Sequence, residues 1–340
     1  MMTPDDQPVY YRPIPCPTGA HRLAGGWARF SQAERLKRGA VPDIVAAEQI
    51  PPEVLTALTA PRAPVLGLPM SRPQIMGIVN TTPDSFSDGG RHDAPEAAIA
   101  HGRGLVAAGA AILDVGGEST RPGAAEVPAP EEAARILPVI QGLAGSAPIS
   151  VDTRKAAVAR VALAAGAGLV NDVSGFDFDP DMAGIVAASQ APVCLMHAQG
   201  LPDTMQDDPR YGDVLLDVYD ALAVRIARAE AAGITRDRIV IDPGIGFGKT
   251  QTHNLAILRR ISLFHALGCA ILLGVSRKRF IGAIGGAETG AGAADGRAPG
   301  TLALTLAAVA QGVQIHRVHD VRDLSQGLRL WRAVTHEDQL

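Results

Sequence analysis

A (β/α)₈ barrel is the fold predicted for most of this chain, on three observations. From Gln74 onward, short apolar runs alternate with Ala/Leu/Val-rich segments at helical spacing. There are eight of each, spread over about 260 residues, the usual size of such a barrel. Nearly every run carries polar or charged residues at its C-terminal side, the face on which barrels of this kind build active sites.

Taken in order, strands are expected at 75–80, 112–116, 149–152, 169–173, 193–197, 239–242, 271–275 and 315–319. Each is short and built on an apolar run, in keeping with parallel strands covered on both faces. Helices are expected near 95–108, 131–144, 154–165, 181–189, 214–232, 253–266, 299–312 and 321–333, where Ala, Leu and Val recur three and four residues apart. A doubly wound open sheet uses the same alternation, but the first strand-to-helix turn lacks G-x-G-x-x-G. The polar strand ends are Asn80, Glu118 (just past the second run), Asp152, Asn171 with Asp172, His197, Asp242, Ser276, and Arg317 with His319. Any single one is readable as a helix cap, Asp152 and Asp172 above all. A full ring of them is better explained by a site.

Residues 1–73 differ in character. They hold 12 of the 25 prolines and show little alternation. The expectation is an N-terminal extension with a helix at 27–38 and a short one near 54–58, followed by a barrel domain over 74–335.

Composition excludes several classes. The net charge is −4 and charged residues make up 19% of the 340, so no broad positive field invites nucleic acid or an anionic membrane. Cys16, Cys194 and Cys269 are far apart and form no CxxC pair, which fits a reducing compartment rather than a disulfide scaffold or zinc site. The start is polar and proline-rich, without the apolar core of a secretory signal. The least polar stretch, 298–315, contains Thr301, Thr305, Gln311 and Gln314 and reads as a buried helix. A soluble, cytoplasmic protein is expected.

Four loops carry chemistry. Asn80 opens N-T-T-P-D-S-F-S-D-G-G, with Asp84 and Asp88 among small hydroxyls, able to bend over a ligand or offer oxygens to Mg²⁺; a solvated turn has the same composition. The second strand leads into G-G-E-S-T-R-P-G, where Arg121 suits a phosphate or carboxylate or, more blandly, a pairing with Glu118. The segment D-P-G-I-G-F-G-K-T after the sixth strand is not a P-loop, because Pro243 stands where that motif needs glycine; Asp242 and an aromatic wall from Phe247 are the better reading. Of Arg277, Lys278 and Arg279, at least one should face the mouth. On the last strand, alternation puts Arg317 and His319 on one side, where barrels often hold phosphate. Asp152, Asn171 and Asp242 suit a flat heterocycle with several N–H donors, and Arg121, Lys278, Arg317 and His319 suit a pyrophosphate.

With these segments in place, the chain resembles the dihydropteroate synthase family of pterin-binding barrels. The resemblance covers about residues 74–333 and rests on MGIVNTTPDSFSDGG, ILDVGGESTRPG, SVDT, LVNDVSG, CLMHAQGLPDTMQ, IDPGIGFGKT, GVSRKRFIG and RVHDV. It implies a transferase that joins 6-hydroxymethyl-7,8-dihydropterin pyrophosphate to 4-aminobenzoate, releasing pyrophosphate. By its pattern Asp152, Asn171, Asp242 and Lys278 hold the pterin, and Met196 lines that pocket. Asn80 serves Mg²⁺ and pyrophosphate, which Arg317 and His319 clamp. Thr120, Arg121 and Pro122, with Phe247 and Ser276, form the aminobenzoate and sulfonamide site. Asp152, Asp88 and Lys278 are the implied catalytic set, Asp152 facing a pterin cation. A homodimer is also implied. A corrinoid methyltransferase shares the pterin pocket but has no use for the cationic clamp, and a silent paralogue has no use for Asn80 and Asp88.

Overall fold

In this computed structural model, which describes residues 7–82, 94–119, 125–200 and 205–335, the proline-rich start is a small sheet packed on a barrel. The strands β1 (Tyr10–Pro15), β2 (His21–Arg22), β3 (Arg29–Leu36) and β4 (Asp43–Ala46) are antiparallel, with β3 paired to the other three. The helix expected at 27–38 is therefore corrected to the central strand of this sheet. Phe30, Ala33 and Leu36 are its fully buried residues, and that three-residue spacing imitates a helical stripe. Neighbours on both edges and a bulge in β1 set this burial, so no simple alternation survives. The short helix near 54–58 is α1 (Pro52–Thr59).

Side-chain ties fasten the sheet to the barrel. Tyr10 donates to Asp220 at 2.9 Å and Arg38 to Asp220 at 2.7 Å. Glu34 accepts from Arg260 at 2.9 Å, and the Trp27 indole donates to the Val309 carbonyl at 2.8 Å. After α1 the chain turns under the barrel. Leu66 and Gly67 both take positive φ and close a two-residue hairpin between Val65 and Leu68. Val65 and Met70 pack with Met76, Ile112, Leu169, Cys194, Val240, Ala270, Leu272 and Ile315, the lower layer of the barrel interior. Residues 65–70 are thus the barrel's floor, although the boundary expected at 73 placed them in the extension.

The barrel follows: β5 (Gln74–Asn80), α2 (Ala94–Ala108), β6 (Ile112–Gly116), α3 (Ala129–Leu143), β7 (Ile149–Asp152), α4 (Ala156–Ala164), β8 (Leu169–Asp172), α5 (Met182–Ser189), β9 (Val193–Met196), α6 (Val214–Ala231), β10 (Ile239–Asp242), α7 (Gln251–Arg259), β11 (Ala270–Leu273), α8 (Arg279–Gly285), α9 (Ala298–Val309), β12 (Ile315–Val318) and α10 (Val321–Thr335). All eight strands are parallel in chain order, and β12 closes on β5 through Ile315↔Gln74 and Val318↔Gly77. The (β/α)₈ expectation holds. Two details differ. The helix expected at 253–266 ends at Arg259 and gives way to a 3₁₀ turn, Ile261–Leu267, whose apolar residues are buried beneath β1. Two helices, not one, separate β11 from β12. Among the described residues no helix is long and apolar enough to cross a membrane.

Candidate active site

Four strands deliver a buried polar group at the barrel's C-terminal face. In register, Asp152 at the end of β7 lies between Gly116 of β6 and Asn171 of β8. Asp114, two residues back on β6, is 0% exposed. Arg317 of β12 reaches across and donates to both carboxylates, from Nε to Asp114 at 2.5 Å and from Nη2 to Asp152 at 2.7 Å. Asn171 donates to the same Asp114 oxygen at 3.1 Å. The second oxygen of each aspartate is buried with no partner among the described residues. Burial lifts the Asp152 carboxyl to about 7, with Arg317 opposing and Asp114 adding to the rise. Burial also works against the Arg317 charge, but the two carboxylates outweigh it and raise its pKa. Two acids share one guanidinium, which leaves acceptors facing the interior.

A second group forms around β10. Asp242 is buried beside Met196 in register, and its carboxylate accepts from the Gly244 amide at 2.7 Å. Burial raises this carboxyl to about 6, with the Gly244 bond and Lys278 opposing. The turn after Asp242 carries Phe247, and the Lys278 ammonium sits 4.0 Å from the centre of its ring, a cation–π contact. Of the three basic residues expected to divide their roles, Arg277 pairs with Asp320, Arg279 is exposed, and Lys278 faces the mouth. Beyond it, the Ser276 hydroxyl and the His319 ring are 2.9 Å apart. Arg317 exerts its charge on both Asp152 and Asp242, so the two groups share one space.

The structure also sorts the strand-end residues. Asp172 accepts from Ser174 and Phe176 amides at 2.8 Å each, which makes it a turn former. His197 is bound by a buried lysine, Lys249. Glu118 is held by Arg154 at 3.0 Å, Lys155 at 2.9 Å and the Val127 amide at 2.8 Å. Asn80 lies half-buried at the end of β5. Asp84, Asp88, Thr120, Arg121 and Pro122 lie outside the described residues. Two residues escaped the sequence reading. Asp114 was readable as a carboxylate inside an apolar run, where burial demands a partner. Lys249 is the lysine of D-P-G-I-G-F-G-K-T, where the likeness to a P-loop masks a structural role.

Comparison with known proteins decides the family. Residues 76–319 match the model of the pterin binding enzymes. Dihydropteroate synthase of Escherichia coli is 44% identical over 271 residues, covering 78% of this chain and 93% of that protein. The chain belongs to the dihydropteroate synthase family. A solved family member, from Xanthomonas albilineans with 4-aminobenzoic acid, is 46% identical with a TM-score of 0.75, covering 81% of this chain and 98% of its own. The same organism's enzyme in complex with 7,8-dihydropteroate gives 43% identity and a TM-score of 0.73, over 81% and 99% of the two chains. Asp114, Asp152, Asn171, Asp242, Lys278 and Arg317 all fall within the range matched by the family model.

Proposed function

We propose that the protein condenses 6-hydroxymethyl-7,8-dihydropterin pyrophosphate with 4-aminobenzoate, giving 7,8-dihydropteroate and pyrophosphate. The observation that carries this is the buried set Asp114, Asp152, Asn171 and Asp242 around Arg317. Unpaired acceptors in a dry barrel suit a flat ring edged with N–H donors. Relatives that hold 4-aminobenzoic acid and 7,8-dihydropteroate support the same substrates.

In this reading Asp152, Asn171, Asp242 and Lys278 hold the ring against Met196. The bond between the pterin methylene and the pyrophosphate oxygen breaks, and its electron pair leaves with the pyrophosphate. The ionised Asp152 stabilises the resulting cation, and Arg317 and His319 stabilise the leaving charge. Arg317 spends two of its five N–H donors on the carboxylates, which leaves others for that group. The amine of 4-aminobenzoate, placed by Phe247, Ser276 and Lys278 together with Thr120, Arg121 and Pro122, forms the new C–N bond and loses its proton to water. Asp88 and its loop, by the family pattern, keep water from capturing the cation.

Mg²⁺ supplies charge neutralisation on the pyrophosphate when bound. Among the described residues no three His, Cys, Asp or Glu side chains converge on a metal cage. An ion that travels with pyrophosphate and keeps most of its waters needs few protein oxygens, and Asn80 fits that role. We also propose a homodimer, supported by Leu330 and Val334 standing exposed on α10, and a cytoplasmic location, in keeping with three free cysteines. Sedimentation tests the dimer. Mixing the protein with both substrates and Mg²⁺ and following pyrophosphate release tests the function; release that ignores 4-aminobenzoate, or none at all, overturns it.

A further inference from the structure

Lys249 is 3% exposed, yet among the described residues no carboxylate binds its ammonium. Its Nζ lies 2.9 Å from His197 Nδ1, 2.9 Å from the Gly244 carbonyl and 3.0 Å from the Phe247 carbonyl. The His197 carbonyl is a further acceptor at 3.3 Å. Burial pushes the lysine pKa down and Asp242 pushes it back; three close acceptors use three N–H bonds, which only the ammonium form has. Burial and then the lysine charge lower His197 to about 2, so its ring stays neutral and Nδ1 is free to accept.

The backbone around this ammonium has no slack. Gly244 has φ +68, and a Cβ there would stand 1.9 Å from the His197 carbonyl oxygen. Gly248 has φ +59, and a Cβ there would stand 2.4 Å from the Gln199 carbonyl oxygen. The turn is pressed flat on the segment leaving β9, and the ammonium fills the space its inward carbonyls enclose. This turn is what carries Phe247 to Lys278.

We propose that Lys249 is a positioning residue, a built-in cation that folds the 243–249 turn and so fixes the Phe247 wall for the aromatic amine. The role rests on the condensation proposed above and touches no substrate. It acts on the second substrate through Phe247; of the residues that hold the first, Asp152 and Asn171 lie on other strands, while Asp242 precedes the turn and Lys278 rests on Phe247, so the pterin is expected to feel the change less.

The experiment has three arms. The wild-type protein is assayed first; absence of condensation there sinks the functional reading and leaves Lys249 to the third arm. In Lys249→Met, the KM for 4-aminobenzoate is expected to rise at least tenfold, while the Kd for the pterin pyrophosphate, by calorimetry, changes less than threefold. Equal losses on both substrates, or an unchanged KM, overturn the proposal. Should Lys249→Met fail to fold, Lys249→Ala is refolded with and without methylammonium, and failure of the amine to restore folding or KM counts against the built-in cation. The third arm reads ¹⁵N resonances of the wild-type protein near pH 7. A protonated, slowly exchanging Lys249 ammonium beside a neutral His197 ring is expected, and a neutral Lys249 amine overturns it.

Discussion

Asp152 is a carboxylate asked to stay ionised where burial favours its acid form. Replacing it with Asn keeps the shape and removes the charge, leaving Arg317 paired with Asp114 alone. Asp152→Asn should lower kcat by about 10²–10³-fold, the size of losing one charge stabiliser in a dry site. Pterin pyrophosphate binding, by calorimetry, should weaken far less, and near-normal turnover would end the cation-stabilising role. The pH dependence follows from the same burial. With Asp152 near 7 and Asp242 near 6, both raised, protonation removes the charged acceptors as pH falls. The acid limb of kcat/KM should therefore drop between about pH 7 and pH 6, as a macroscopic titration of the coupled set. The stability sign is opposite. A carboxyl whose pKa is raised on folding stabilises the fold below its unfolded value near 4 and loses that contribution as pH rises through the folded one. Melting curves should show Asp152→Asn gaining on the wild type between pH 5 and pH 8. Asp152, Asn171 and Asp242 were legible because each ends an apolar run. Asp114 and Lys249 were not, since their meaning lies in partners distant in sequence: Arg317 for one, the carbonyls of a folded turn for the other.

At the scale of elements, the barrel strands were legible and the extension was not, for one physical reason. A parallel strand covered on both faces is mostly apolar, so Ile239–Asp242 or Val193–Met196 declares itself in four residues. The buried positions of β3 follow from its neighbours, and no local period reports them. The turn after β10 is a mixed case: its glycines were visible, but what they approach was not. Adding one methyl group tests that approach. Gly244→Ala puts a Cβ against the His197 carbonyl at a positive φ, whereas Gly145→Ala, at a similar φ of +77, meets nothing within 4 Å. The second should cost only the backbone preference, about 1 kcal/mol. The first should cost at least about 2 kcal/mol more, since backbone must move on both sides. Thermal unfolding of the two variants checks this, and equal melting points would mean that the turn has room the structure denies it.

For the whole molecule, the decisive boundary runs inside the proline-rich start. The sheet of β1–β4 holds the barrel from outside through Tyr10, Arg38, Glu34 and Trp27, whose partners are Asp220 of α6, Arg260 just past α7 and Val309 at the end of α9. Residues 65–70, by contrast, fill the inside of the barrel's lower end, where Val65 and Met70 belong to one apolar cluster with residues of seven strands. A chain beginning at Pro61 loses the outer sheet and uncovers the Ile261–Leu267 turn, so it should melt lower yet keep kcat within about tenfold. A chain beginning at Gln74 loses the floor as well. Each large apolar side chain removed from a core costs about 2–5 kcal/mol, and a domain's whole stability is about 5–15 kcal/mol. Emptying Val65 and Met70 together, and admitting water to Met76 and Ile112, consumes most of that reserve. The shorter chain should therefore show no cooperative melting transition and no pyrophosphate release, while the longer one shows both. If both chains melt alike, the floor is dispensable and the barrel closes on its strands alone.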